Sequence, residues 1–260
     1  MLPDSAPLLS EGTTLHTRIL RLALGVEESR DYWANVDPAV PAAARALAAF
    51  EQRWFGAKSL ERVRTLLANF AARYDAYPAG LAVLRRWSRL GLDPATRQIL
   101  CHFHLQLADP LYRAFTGAFL PARRDSPSPS PTLDRTVVLR WVQQHLDHAR
   151  WSPATSLQFA SKLLSAASEA GLLSPRRDPR RLLLPRVPDL ALGYILYHLR
   201  ALRHTGTLLD NPYLASLGLT HGALDARLRA LPGLTFRRMG ALYEIDWHAP
   251  SLLAWAEAPR

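Results

Sequence analysis

The residues able to do chemistry are few and scattered. His145 and His148 stand three apart with Asp147 between them, a spacing that can present two metal ligands on one helix face. No third ligand accompanies them, and an ordinary polar helix face accounts for the pair. Cys101, His102 and His104 are close in sequence but point to different sides of their helix, which argues against a shared metal. Cys101 is the only cysteine, so neither an intramolecular disulfide nor a cysteine-based zinc site can form, and a reducing compartment fits. Asp4 and Glu11 fall in a start expected to fray. The chain has no P-loop, no GxGxxG after a strand, no GxSxG elbow and no carboxylate–lysine cluster of the nuclease kind. The expectation is a protein without a catalytic centre, a metal site or a cofactor.

The basic residues say more. The chain of 260 residues carries 32 basic against 22 acidic side chains, a formal charge of +10. Only Lys58 and Lys162 are lysines, and because genomic base composition can also produce such a bias, arginine richness alone is weak evidence. The excess positive charge favours polyanions, either nucleic acid or an anionic membrane. The densest group is Arg176, Arg177, Arg180 and Arg181. It sits at the tip between two short apolar runs in LLSPRRDPRRLLLPRV. Lys58, Arg62 and Arg64 cluster at the start of another helix, where positive charge opposes the helix dipole and a bound phosphate would relieve the conflict; solvent screening would do the same.

The elements that must position these groups can be read from the punctuation. DRTVVLRWVQQHLDHAR places Leu139, Val142, Leu146 and Ala149 on one helix face. Ser152 then caps, and Pro153 opens, a second helix running to about Ala170 and ended by Gly171. Leu157, Ala160, Leu164 and Ala167 form its expected apolar stripe; Thr155, Gln158 and Lys162 form a polar one. Helix, turn, helix with a polar face, then basic hairpin are the parts of a winged helix-turn-helix, which sets its second helix in the DNA major groove. Two packed helices and an arginine-rich loop also occur in helical proteins that touch no nucleic acid.

The same order recurs downstream. Asp189 to Arg203 is apolar almost all round, as a central helix is. A short helix from Pro212 to Leu217 follows, then a helix capped by Thr220 with Leu224, Leu228 and Leu231 inward. LTFRR and ALYEIDW close the order as a hairpin around Met239-Gly240, with Tyr243, Ile245 and Trp247 alternating. Arg227 and Arg229 lie on its third helix, and Arg237 and Arg238 near the hairpin tip.

Before residue 122 the sequence predicts helices only: 14–24, 26–35, a third from Asp37-Pro38 to about Trp54, a longer one from Ser59 to about Tyr77, 80–90 closed by Gly91, and two opened by Asp93-Pro94 and Asp109-Pro110. The expected class is mainly α, with two helical domains carrying helix-turn-helix elements and short β-hairpin wings in the C-terminal half. The N-terminal domain would span 1–122, and RRDSPSPSPT (123–132), which cannot hold a helix, would link it to a winged-helix-like domain at 133–260. The N-terminus lacks a signal-peptide pattern, and the longest uncharged apolar run, Leu190 to Leu199, is too short to cross a bilayer. A soluble cytoplasmic protein is expected, with no membrane association.

Three segments carry a family resemblance: SLERVRTLLANFAARYDAYPAGLAVL, LCHFHLQLADPLYRAF and above all ARWSPATSLQFASKLLSAASEAGLL. The chain resembles the BrxA-like proteins of bacterial BREX (bacteriophage exclusion) defence systems, from about Thr14 to Trp247, and departs from them at the Ser/Pro stretch. The resemblance implies a mostly helical, non-enzymatic protein that binds double-stranded DNA beside a methyltransferase and an ATPase. It supplies no site residues, since its segments are patterns of apolar spacing. Duplex DNA and other BREX proteins are therefore the expected partners. The alternative is an assembly adaptor whose contact surface would lie near Trp33, Trp54 and Trp87, although core packing is the favoured reading of each.

Overall fold

The computed structural model describes residues 9–126, 131–146, 151–175 and 177–258. The chain is mainly helical, and half of the described α-helices begin where a short polar side chain accepts a free backbone N–H. Ser59 caps α4 (Leu60–Phe70), Asp93 caps α6 (Pro94–Ala108), Asp109 caps α7 (Pro110–Ala114) and Asp134 caps α9 (Arg135–His145). Ser152 does the same for α10 (Pro153–Glu169). Gly91 and Gly171, at φ 82° and 76°, end α5 (Pro78–Leu90) and the turn after α10 in the left-handed region that favours glycine.

The first part of the chain differs from expectation in detail. The helix expected at 14–24 shrinks to α1 (Arg18–Arg21), and α2 (Val26–Asn35) follows the left-handed Gly25. The third, α3 (Ala42–Glu51), starts after Pro41 rather than at Asp37-Pro38. The long helix expected to reach Tyr77 is α4 continued by a π-helical turn, Ala71–Asp75. A second π-helical turn, Phe115–Phe119, joins α7 to α8 (Leu120–Arg124). Neither widening has a simple sequence signal.

Two units share one order of elements. In the first, the helix running through α7 and α8 is followed by β2 (Thr132–Leu133), α9, α10 and a hairpin. β3 (Arg180–Arg181) lies antiparallel between β2 and the strand residue Leu173, which bridges to Leu182. Phe115 and Phe119 hold the first helix against α9 through Trp141, with centroids 5.4 and 5.3 Å away. The second unit is α11 (Asp189–Leu199), α12 (Pro212–Ser216), α13 (His221–Ala230) and the antiparallel hairpin β5 (Leu234–Met239) with β6 (Leu242–Trp247). Its β4 (Leu202–Arg203) pairs in parallel with β1 (Leu9–Ser10) and leaves the hairpin two-stranded. The last helix, α14 (Leu252–Glu257), sets Trp255 against Trp87 of α5 and Tyr197 of α11, at 5.8 and 5.1 Å between centroids.

The expected division into two domains at 123–132 does not divide the core. One buried apolar cluster runs from Ile19 to Ala256. Helix α6 lies at its centre, and its histidines join the halves. His104 Nδ1 donates to the Arg73 carbonyl at 3.2 Å, so its Nε2 accepts from the Tyr194 hydroxyl of α11 at 2.7 Å. Ser216 Oγ donates to Tyr213 O at 2.7 Å, and so accepts from His102 Nε2 at 2.9 Å; Tyr112 OH donates to Nδ1 at 2.9 Å. Both rings are neutral and fully committed, because a buried polar group must find its partners inside the protein. Cys101, buried beside them with its thiol pushed up to about 11 by burial, completes a structural rather than a reactive group. Among the described residues no helix is long and apolar enough to cross a membrane, and no group of three or more His, Cys, Asp or Glu is placed to hold a metal ion.

Candidate nucleic-acid interface

Helix α10 fixes the geometry of the first unit. Ser156, Phe159, Ala160, Leu163, Leu164, Ala166 and Ala167 are buried, so the inward stripe is rotated from the expected one. Leu157 is the exception to that expectation: it is 42% exposed and stands on the outward face. Gln158 is exposed beside it, whereas Thr155 and Lys162 are half-buried at the edge. The Thr155 hydroxyl is 2.9 Å from that of Ser152, inside the helix cap.

An element that the sequence did not assign to the interface flanks this face. Thr17, Leu20 and Arg21 of the α1 segment line one groove with Trp151, Ser152, Thr155 and Gln158. Leu20 and Arg135 line an adjoining one with Leu157, Gln158, Ser161 and Lys162. Interlocking bonds hold α1 there. The buried guanidinium of Arg73 donates to the carbonyls of Leu22, Ala23 and Leu24 at 2.9, 2.6 and 2.7 Å. Arg62 donates to Arg21 O at 3.0 Å, and Glu169 at the end of α10 accepts from Leu24 N and Gly25 N at 3.1 and 3.0 Å. These bonds satisfy backbone groups that a four-residue helix leaves unpaired. They leave Arg18 and Arg21 exposed beside α10. The spacing of those two arginines on one helical face was the sequence signal available for them.

The group at the start of α4 divides. Arg62 is half-buried and tied to α1, Lys58 is exposed, and Arg64 lines a separate groove with Tyr32, Ala43, Arg45 and Leu67. Backbone capping by Ser59 already accepts from Arg62 N at 3.3 Å.

The first hairpin keeps part of its charge free. Arg177 and Arg181 are exposed. Arg180 is committed instead: its Nε lies 3.3 Å from Asp178, and Nη1 donates to Leu164 O of α10 at 3.0 Å. It pins the hairpin to the helix rather than projecting from it. Arg176 lies outside the described residues, as do Ala149 and His148. His145 stacks on Trp141 at 4.1 Å between centroids, with Nδ1 2.8 Å from that residue's carbonyl.

The second unit sets carboxylates against three of its six arginines. Arg227 Nη2 donates to Asp189 at 2.6 Å and to Val187 O at 2.7 Å. Arg238 lies 3.2 Å from Asp225 and within 6 Å of the Phe236 and Tyr243 rings. Arg237 faces Glu244 at 3.9 Å, both well exposed, and Arg229 is exposed. The hairpin tip is apolar, with Met239 82% and Leu242 78% exposed. Of the tryptophans offered as an adaptor surface, Trp33 and Trp87 are buried and Trp54 is half-buried.

No protein-family model and no curated protein matches this chain. A solved structure of an uncharacterized protein from Magnetospirillum magneticum is similar to it, with a TM-score of 0.51 and 16% identity over 73% of this chain and 98% of that one. That likeness concerns the fold alone.

Proposed function

We propose that the protein is a non-enzymatic, cytoplasmic binder of double-stranded DNA, acting through its first winged-helix unit together with α1. The supporting observation is that Arg21, Arg135 and Lys162 line the grooves along the outward face of α10, with Arg18 exposed on the neighbouring α1 and Arg177 and Arg181 exposed on the hairpin that follows α10. Guanidinium groups pair well with phosphate oxygens, and contacts of this kind fix register on a duplex while carrying little sequence information. A helix of this diameter fits the major groove, roughly 12 Å wide. The family resemblance extends the reading to an accessory role in anti-phage (BREX) defence, with other components of that system as partners and no cofactor.

Fluorescence anisotropy with labelled duplex DNA, single-stranded DNA and duplex RNA tests this. Duplex DNA should bind most tightly, with affinity falling about a thousandfold between low and moderate salt if several phosphates are contacted. Equal affinity for all three polyanions would reduce the reading to charge alone.

The apolar tip of the second hairpin favours one further reading, a protein-docking role for that unit. Met239→Ser with Leu242→Ser should then abolish co-purification of a partner while leaving DNA affinity unchanged.

A further inference from the structure

Resting on that reading, we propose that the first unit reads a base pair as well as the backbone: Gln158 contacts an adenine, and Leu157 the 5-methyl group of a neighbouring thymine. The outward face of α10 offers few groups able to discriminate bases. Ser161 Oγ and Ser165 Oγ donate back to the carbonyls of Leu157 and Ser161, at 3.0 and 2.9 Å, which uses their only protons. The Thr155 hydroxyl is held in the cap by Ser152. Lys162, half-buried at the edge, is a point charge suited to phosphate. Ala154 has no functional group. Gln158 remains, exposed and without a hydrogen-bonding partner among the described residues, and next to it Leu157, 42% exposed.

Their chemistry is complementary to one kind of base-pair edge. The Gln158 amide can donate to adenine N7 and accept from its N6 amino group at once, a two-bond match that guanine lacks because it carries an acceptor at O6. Leu157 offers the apolar surface that a thymine methyl fills, whereas a cytosine in its place puts an amino group against a side chain unable to pair with it. Both grooves beside these residues have a cation in their walls, Arg21 in one and Arg135 with Lys162 in the other. Those cations can hold the two phosphate strands while the helix face between them meets the bases. Since the neighbouring side chains are small, these two positions dominate the preference.

Selection from a randomised duplex library by the full chain should enrich a short A·T-containing element. On the selected duplex, replacing the contacted adenine by 7-deazaadenine should weaken wild-type binding about tenfold and leave Gln158→Ala unaffected, because the acceptor and its donor are removed from the same bond. Uracil in place of thymine should cost several-fold, and that loss should vanish in Leu157→Ala. Both side chains are exposed, so neither variant threatens the fold. Duplex binding without any base preference, or a 7-deazaadenine effect that persists in Gln158→Ala, would overturn the inference and leave the proposed function standing. Absence of duplex binding would instead remove that function.

Discussion

The two units at residues 110–183 and 189–247 follow the same order of helices and hairpin, yet they deploy charge in opposite ways. The first carries eleven basic against five acidic residues, the second six against five. Position sharpens the contrast. In the second unit Asp189, Asp225 and Glu244 stand against Arg227, Arg238 and Arg237, whereas among the described residues of the first the pairs are Arg180 with Asp178 and the buried Arg113 with Glu11, which leaves the exposed Arg135, Arg177 and Arg181 without an ion pair. An exposed pair such as Arg237–Glu244 contributes little to stability, roughly 0–1 kcal/mol, but it presents no net charge to an approaching polyanion. A count of arginines therefore overstates the second unit as a phosphate-binding surface. Its exposed tip, Met239 and Leu242, suits an apolar partner better. The lesson is that a winged-helix order says where a ligand can be met, and the surrounding carboxylates decide what kind.

The largest predicted effect concerns what the units share. Burial pushes His102 and His198 down to about 3 and His104 well below its usual range. Their neutral forms are thus required for folding, while the unfolded chain protonates near pH 6.5. Stability is whole above that pH and is lost as the pH falls from there through the folded values, by up to about 1.4 kcal/mol per pH unit for each ring. Urea melts between pH 7 and 5 should show a steep loss in one cooperative transition for both units. Two separate transitions would mean that the units fold independently and that the shared core does not couple them.

A smaller effect separates the units locally. Ser152→Ala in the first unit removes an N-cap and should cost roughly 1 kcal/mol in chemical melts, whereas Asn211→Ala in the second should cost more, because its buried amide also donates to Thr207 O and Leu208 O. Only Ser152→Ala should also weaken duplex binding, since Ser152 lines the groove beside α1. Equal losses of affinity would erase the distinction. The smallest effect runs the other way: Glu244→Gln leaves Arg237 unpaired and should raise DNA affinity by no more than a fewfold, because the freed cation is solvated and belongs to the second hairpin. A large gain would show that the second hairpin already lies on the nucleic acid.

Much of this architecture was legible in the chain because it is encoded locally. Ser59, Asp93, Asp109 and Ser152 begin helices, and Gly91 and Gly171 end them, through contacts within three or four residues. The near-complete burial of α11 follows from its uninterrupted apolar run. What escaped depends on distant partners. The placing of α1 against α10 requires Arg73, Arg62 and Glu169, each dozens of residues from the backbone it binds. The outward turn of Leu157 reflects packing by Phe159 and Leu163, which a stripe drawn from Leu157, Ala160 and Leu164 left out. The commitment of Arg180, Arg227 and Arg238 cannot be read from spacing, since the atoms they meet belong to other elements. Continuity of the core past residues 123–132 is hidden for the same reason: it rests on His102 and His104 meeting Ser216 and Tyr194.

On the proposed function, nucleic acid is bound by the first unit and not the second. Two variants compared across one salt series test it: Arg18, Arg21, Arg177 and Arg181 changed to alanine, and Arg229 and Arg237 changed to alanine. The first should lose about a hundredfold or more in duplex affinity, and its log–log salt slope should shrink by about 0.9 for each phosphate contact removed. The second should keep the wild-type slope and affinity within a fewfold. The reverse pattern, with the slope carried by Arg229 and Arg237, would place nucleic-acid binding on the second unit instead.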